Sequence, residues 1–198
     1  ALPISYQSLE SIGIDRRVHD IKFVENNLES PVLGASGVGW EVWCDGMEVL
    51  QYTYFEKMGG IQLPVTPVEY AYGLERLSLV LSSTPDIMRT GWAGDVLYGS
   101  VRFDHEHSMS KYTFEDVCVA RARSRLEVQL AEAEELLAKA NWLAAYEALL
   151  LGVHEFNVLH GYGALGQAER AGLILKFRSL VAECCGAYLA RGAQVPTA

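Results

Sequence analysis

Glu41, Glu48 and Gln51 sit inside two otherwise apolar, aromatic-rich runs, residues 38–43 and 47–55. Burying a carboxylate or an amide among apolar neighbours is costly without a partner. Three such groups in so short a stretch point to a polar-lined pocket on a rigid sheet. Asp45-Gly46 joins the runs, and that dipeptide suits a type I′ hairpin turn, whose two central residues both need positive φ. Alternation sets Trp40, Val42 and Cys44 on one face and Glu41 and Trp43 on the other. On the return strand Glu48, Leu50, Tyr52 and Tyr54 share one face, and Met47, Val49, Gln51, Thr53 and Phe55 share the other. The cross-strand register could bring Glu41 to the face of Gln51 and Thr53.

The second chemical group is a cation. Gly59-Gly60, Pro64 and Pro67 lead into a short strand at 68–72, which ends in Tyr72-Gly73-Leu74-Glu75-Arg76-Leu77. There the apolar period changes from two to about 3.6. Gly73 stands at the strand-to-helix corner, where backbone can approach closely. Arg76 then projects from the first helical turn, beside exposed N–H groups that favour anions. A guanidinium there can clamp a phosphate bidentately. The alternative for Arg76 is a structural ion pair with Glu75 or Glu69.

The rest of the chain must hold these groups in place. Residues 5–11 read as a helix, with Tyr6, Leu9 and Ile12 at helical spacing, and 19–25 as an alternating strand. A loop with Pro31 and three glycines follows over 26–39, then the hairpin. The helix carrying Arg76 is expected over 73–81, and 82–110 reads as irregular surface chain. At Thr113 the composition shifts: Thr113-Phe114-Glu115-Asp116 resembles a capping box opening a long helix to about residue 140. Its apolar stripe is Val119, Ala122, Leu126, Leu130, Ala133 and Leu137. Further helices are expected over 143–159 and 167–191, the last with a stripe of Leu173, Phe177, Leu180, Cys184 and Tyr188. Together they suggest a small antiparallel bundle.

At 50% hydrophobic and 21% charged the chain is globular. A net charge of −9 rules out a surface that grips nucleic acid all over. Cys44, Cys118, Cys184 and Cys185 form no C-x-x-C, which argues for reduced thiols and against structural zinc. His19, His154 and His160 lack ligand spacing, and His105-Glu106-His107 fails the helical H-E-x-x-H geometry. Gly, Arg and Glu interrupt every apolar run, so no membrane span is expected. The N-terminus shows no targeting signal.

Taken in order, His19-Asp20-Ile21-Lys22-Phe23-Val24-Glu25, Glu29-Ser30-Pro31, Gly34-Ala35, Gly39-Trp40-Glu41-Val42-Trp43, Asp45-Gly46-Met47-Glu48-Val49, Gln51-Tyr52-Thr53-Tyr54-Phe55, Gly59-Gly60 and the 72–77 segment carry a resemblance. Together they resemble the catalytic α subunit of the bacterial-type, two-subunit glycyl-tRNA synthetases, class II aminoacyl-tRNA synthetases. The 72–77 segment resembles class II motif 3, whose arginine binds ATP phosphates. The resemblance implies an α+β fold: a partial class II antiparallel sheet with its motif-3 helix, domain 1–110, followed by a C-terminal helical bundle, domain 111–198. It implies that Arg76 and Glu48 are catalytic, with Glu48 holding Mg²⁺ on ATP. Glycine recognition asks for a carboxylate near the ammonium and a very small pocket, which Glu41, Gln51 and Thr53, walled by Trp40 and Trp43, could form. Glu75, beside Arg76, is expected to brace the arginine rather than to do chemistry.

The implied function is ATP-dependent activation of glycine to glycyl-adenylate and transfer to tRNA(Gly). The implied partners are a β subunit that carries most of the tRNA binding and a second catalytic subunit, in an obligate hetero-oligomer. The implied compartment is the cytoplasm, or an organellar matrix or stroma if a targeting segment has been removed. In the family, motifs 1 and 2 lie upstream of the matching region, and the chain is expected to start just after motif 2. Leu28 and Ser36 stand where the family usually has tryptophans. The alternative is therefore a synthetase-derived, catalytically inactive structural subunit of a larger assembly.

Overall fold

The computed structural model describes residues 1–192. It is mixed α+β, an antiparallel sheet followed by helices, and divides into two compact units. The first comprises Ala1–Leu28, Gly37–Glu56 and Val65–His107; the second comprises Glu29–Ser36, Lys57–Pro64 and the chain from Ser108 onward. Two short segments from the sheet region thus group with the helices.

Helix α1 (Leu2–Ser11) opens the first unit, with Pro3 in its first turn, where no backbone N–H is needed. Strands β1 (Ile21–Glu25), β2 (Leu28–Ser30), β3 (Ala35–Cys44) and β4 (Met47–Met58) follow. β1 runs antiparallel to β3, from Ile21 opposite Cys44 to Glu25 opposite Trp40. The turn between β3 and β4 holds Asp45 at φ 50° and Gly46 at φ 84°, the pair of positive values a type I′ turn requires. After the short β5 (Ile61–Gln62), β6 (Val68–Tyr72) pairs antiparallel with β4, from Leu50 opposite Tyr72 to Tyr54 opposite Val68. Helix α2 (Leu74–Ser82) starts at once, with Gly73 as its N-cap. Val42, Cys44, Val49, Leu50 and Tyr52 from the sheet pack with Leu9, Ile14 and Leu77 into one buried core.

The ribbon β7 (Gly91–Ala93) and β8 (Val96–Leu97) leads into helix α3 (Tyr98–Lys111). Irregular chain was expected here. The sequence hides this helix because none of its residues is buried, so no apolar period marks it. Local pairs hold it instead, with Arg102 3.5 Å from Glu106 and the Tyr98 hydroxyl donating to Glu106 at 2.7 Å. The expected capping box at Thr113 does not form either. A π-helical turn, Tyr112–Asp116, occupies it, fastened by Lys111 to Asp116 at 2.8 Å.

The second unit is built on helices α4 (Val119–Ala138), α5 (Trp142–Gly161) and α6 (Gln167–Gly192). Ala122, Leu126, Leu130 and Ala133 of the expected α4 stripe are buried, as are Phe177, Leu180 and Cys184 of α6. Tyr188 is exposed and meets Trp142 edge-on, with centroids 5.4 Å apart. One charge enters this core. Glu155 is 9% exposed and accepts from Arg125 Nε at 2.6 Å and Nη2 at 2.8 Å. Arg125 also donates to the Tyr112 hydroxyl at 3.0 Å. Removing one partner of such a pair strands the other charge. Arg125→Ala is therefore expected to cost about 1–3 kcal/mol in a denaturant titration.

All four cysteines are unbridged. Among the described residues, no helix is long and apolar enough to cross a membrane.

Candidate functional site

The expected site residues gather on two parts of the first unit. Glu41 projects from β3 with both carboxylate oxygens held: Oε1 accepts from Asn26 Nδ2, and Oε2 accepts from Trp43 Nε1 at 2.8 Å. Both donors are neutral, so the carboxylate is oriented without losing its charge to an ion pair. Gly39 stands two residues before Glu41 on the same face. A side chain at Gly39 would meet Thr53 Oγ1 at 3.2 Å and the Asn26 carbonyl at 2.6 Å. Thr53 therefore faces the same side as Glu41, and Gln51, two residues along β4, shares it. Thr53 is only 1% exposed, opposite Glu69 of β6, while Gln51 lies opposite the small Ala71. Gly37 is equally constrained, since a Cβ there would press on the Tyr54 carbonyl and on Phe55 Cα.

Trp40 is not brought to this face. Its ring stacks on Tyr52 with centroids 5.4 Å apart and meets Tyr54 edge-on at 6.1 Å. There, with Phe23, Ala1 and Leu2, it lines an aromatic cavity of about 390 Å³. Burial pushes the Tyr52 and Tyr70 hydroxyls above the usual tyrosine range, so both stay protonated at neutral pH. Of the two tryptophans named as pocket walls, only Trp43 sits beside Glu41.

The second part is the corner between β6 and α2. Arg76 Nη1 donates to the Glu48 backbone oxygen at 3.0 Å and to Glu48 Oε2 at 2.8 Å. Neither alternative partner, Glu75 or Glu69, takes it. Nε and Nη2 make no hydrogen bond among the described residues, and half of the side chain is exposed. The guanidinium keeps free donors beside the first turn of α2, where an anion is favoured. Gly73 leaves room for it: a Cβ there would stand 3.2 Å from Arg76 Cδ. Glu48 Oε1 has no partner among the described residues, so one hard oxygen remains for a cation such as Mg²⁺, which takes one or two carboxylates with water and phosphate oxygens. The residues present fit that ion at this one position.

The sequence reading missed two things. The direct link between Arg76 and Glu48 joins residues 28 apart, and only the β4–β6 register makes it. Asn26 lies in the expected loop, but its role as donor to Glu41 is the second, although an amide beside an acid-bearing strand offers the donor that a half-buried carboxylate needs.

A third cluster joins His19, Cys44 and Asp45, whose ligand atoms lie within 4.8 Å of one another. His19 Nδ1 and Asp45 Oδ2 pair at 2.6 Å, which holds the Asp45 carboxyl below its usual range. Burial pushes the Cys44 thiol up to about 11, so it stays protonated at neutral pH. This arrangement fastens the start of β1 to the hairpin turn.

Comparison with known proteins fits the geometry. The glycyl-tRNA synthetase alpha subunit family model matches residues 3–193. A glycine–tRNA ligase alpha subunit from Petrotoga mobilis is 42% identical over 183 residues, covering 92% of this chain and 64% of that protein. The one from Coprothermobacter proteolyticus is 44% identical over 174 residues, covering 88% of this chain and 60% of that protein. The chain thus spans less than two thirds of the length of these curated relatives. A family match along nearly its whole length means that the chain belongs to the glycyl-tRNA synthetase alpha subunit family.

Proposed function

We propose that this chain supplies the strand-borne acids and the motif-3 arginine of a glycine-activating site. A glycine carboxylate oxygen attacks the α-phosphorus of ATP, pyrophosphate leaves, and glycyl-adenylate forms. A ribose hydroxyl of tRNA(Gly) then attacks the acyl carbon, the bond to the adenylate oxygen breaks, AMP leaves, and the hydroxyl proton is lost. Such chemistry needs mainly oriented reactants and fixed charge around the phosphates. The observation that carries the reading is the Arg76–Glu48 pair, a cation with free donors at a helix N-terminus and a carboxylate with one free oxygen. When bound there, Mg²⁺ would offset charge on the ATP phosphates. Arg76 grips a phosphate oxygen, Glu41 takes the glycine ammonium, and Gln51 and Thr53 line the same face.

The division into a catalytic domain, 1–110, and a helical domain, 111–198, belongs to this proposal, as does the class II assignment of the sheet and of α2. The relatives are named alpha subunits, which supports a β-subunit partner carrying most of the tRNA contact and a paired catalytic subunit. A cytoplasmic or organellar-matrix location follows from that work.

The reading is tested by glycine-dependent ATP–pyrophosphate exchange on the protein isolated from its native source with whatever copurifies. Exchange that requires glycine is expected. Its absence, with a stoichiometric partner that is not a synthetase subunit, would overturn the enzyme reading and leave a structural subunit. Within the active preparation, Trp43→Phe removes one of the two donors that hold Glu41. A hydrogen bond to a charged group is worth about 1.5–3 kcal/mol, so KM for glycine is expected to rise roughly tenfold or more while KM for ATP stays nearly constant.

A further inference from the structure

The second unit carries its own polar cavity, about 250 Å³, whose lining includes Glu29, Ser30, Ser36, Lys57, Gly60 and Arg178. Its floor is set by backbone. Gly34 and Gly60 both hold positive φ, 63° and 76°, and the Gly60 N–H donates to the Gly34 carbonyl at 2.9 Å. A Cβ on Gly34 would stand 2.9 Å from the Gly60 nitrogen, so only glycine keeps that wall closed. In a chain of net charge −9 most basic side chains are spent on carboxylates, as with Lys111, Arg123, Arg125 and Lys176. Lys57 and Arg178 have no carboxylate partner among the described residues, yet both line this cavity. Two like charges facing one space repel each other, and Glu29, the one carboxylate in the lining, offsets only one of them.

We propose that this cavity binds a phosphate group. The Arg178 guanidinium offers a planar fork that matches phosphate oxygens, and the Lys57 ammonium adds a point charge. The Ser30 and Ser36 hydroxyls supply neutral donors. With Glu29 counted, the lining carries one net positive charge, which balances a singly charged phosphodiester better than a more highly charged free phosphate. The phosphate can come from an RNA strand or from a free nucleotide or pyrophosphate. The site lies outside the Arg76–Glu48 pair and does not rest on the activation chemistry.

The test uses the full chain carrying Arg76→Ala, so that the proposed ATP site makes no contribution. The probes are a short fluorescein-labelled single-stranded RNA and pyrophosphate. Lys57→Gln with Arg178→Gln is compared with Arg121→Gln and Arg170→Gln, two exposed basic residues away from the cavity. Loss of two phosphate-facing charges is expected to weaken RNA binding roughly tenfold and to lower the slope of log affinity against log salt by about 1.4. The control pair should leave both unchanged. Weakening confined to pyrophosphate would keep the phosphate site and assign it to a free ligand. Equal affinities in the cavity variant and its parent for both probes, or an equal loss in the control pair, would overturn the proposal. All four side chains are exposed, so thermal melts matching the parent are expected and separate lost binding from lost fold.

Discussion

Arg76→Ala is expected to lower glycine-dependent ATP–pyrophosphate exchange by about 10²–10³-fold, the usual cost of deleting a fixed group that stabilises transition-state charge. Two losses combine. The substitution removes the cation whose Nε and Nη2 remain free for phosphate. It also leaves Glu48 unneutralised beside the place where the phosphates would lie. Arg76→Lys should recover little, because an ammonium cannot both meet the Glu48 backbone oxygen and clamp a phosphate as a planar fork does. Fold should be unaffected, since the Arg76 side chain is 51% exposed and an exposed ion pair contributes little stability. A loss of less than tenfold would assign the phosphate grip to another residue.

Phe177→Ala is expected to cost about 3–5 kcal/mol in a chemical-denaturation experiment, the range for deleting a buried aromatic ring. The ring is fully buried, and it meets Phe156 edge-on with centroids 5.9 Å apart. Across from it stands Gly152, where a Cβ would come within 3.2 Å of the ring. Having no side chain, Gly152 cannot swing into the space left behind, so the cavity persists. Loss of helical circular dichroism at lower denaturant is the readout, and a shift below about 1 kcal/mol would mean that the bundle repacks more freely than native density permits.

Much of this architecture was legible because local chemistry and global fold agree. Asp45-Gly46 between alternating runs marked the hairpin, and both residues adopt the positive φ their types tolerate. The α4 and α6 stripes marked the buried faces of the bundle. Acids inside apolar strands and a cation at a strand-to-helix corner marked Glu41, Glu48 and Arg76, and the family likeness added the roles expected of them. What stayed hidden depends on register or on missing burial. Arg76 was weighed against the acids nearest to it in sequence, whereas its partner Glu48 is two strands away along the chain. Trp40 was named as a pocket wall although alternation already set it apart from Glu41, and its stack on Tyr52 places it on the other face. α3 gave no signal because solvent-facing helices need no apolar period.

That last feature bears on how the protein comes apart. α3 carries the last of the chain's crossings between the two compact units, and without a buried side chain its amides are shielded only by its own turns. Segments of that kind open with free energies far below the global value, while helices packed like α5 open only with their whole unit. In deuterated buffer, α3 should therefore exchange early and α5 late. A protease at low dose should nick the chain first within 98–111, and because Glu29–Ser36 and Lys57–Pro64 belong to the helical unit, the two fragments should stay associated until denaturant is added.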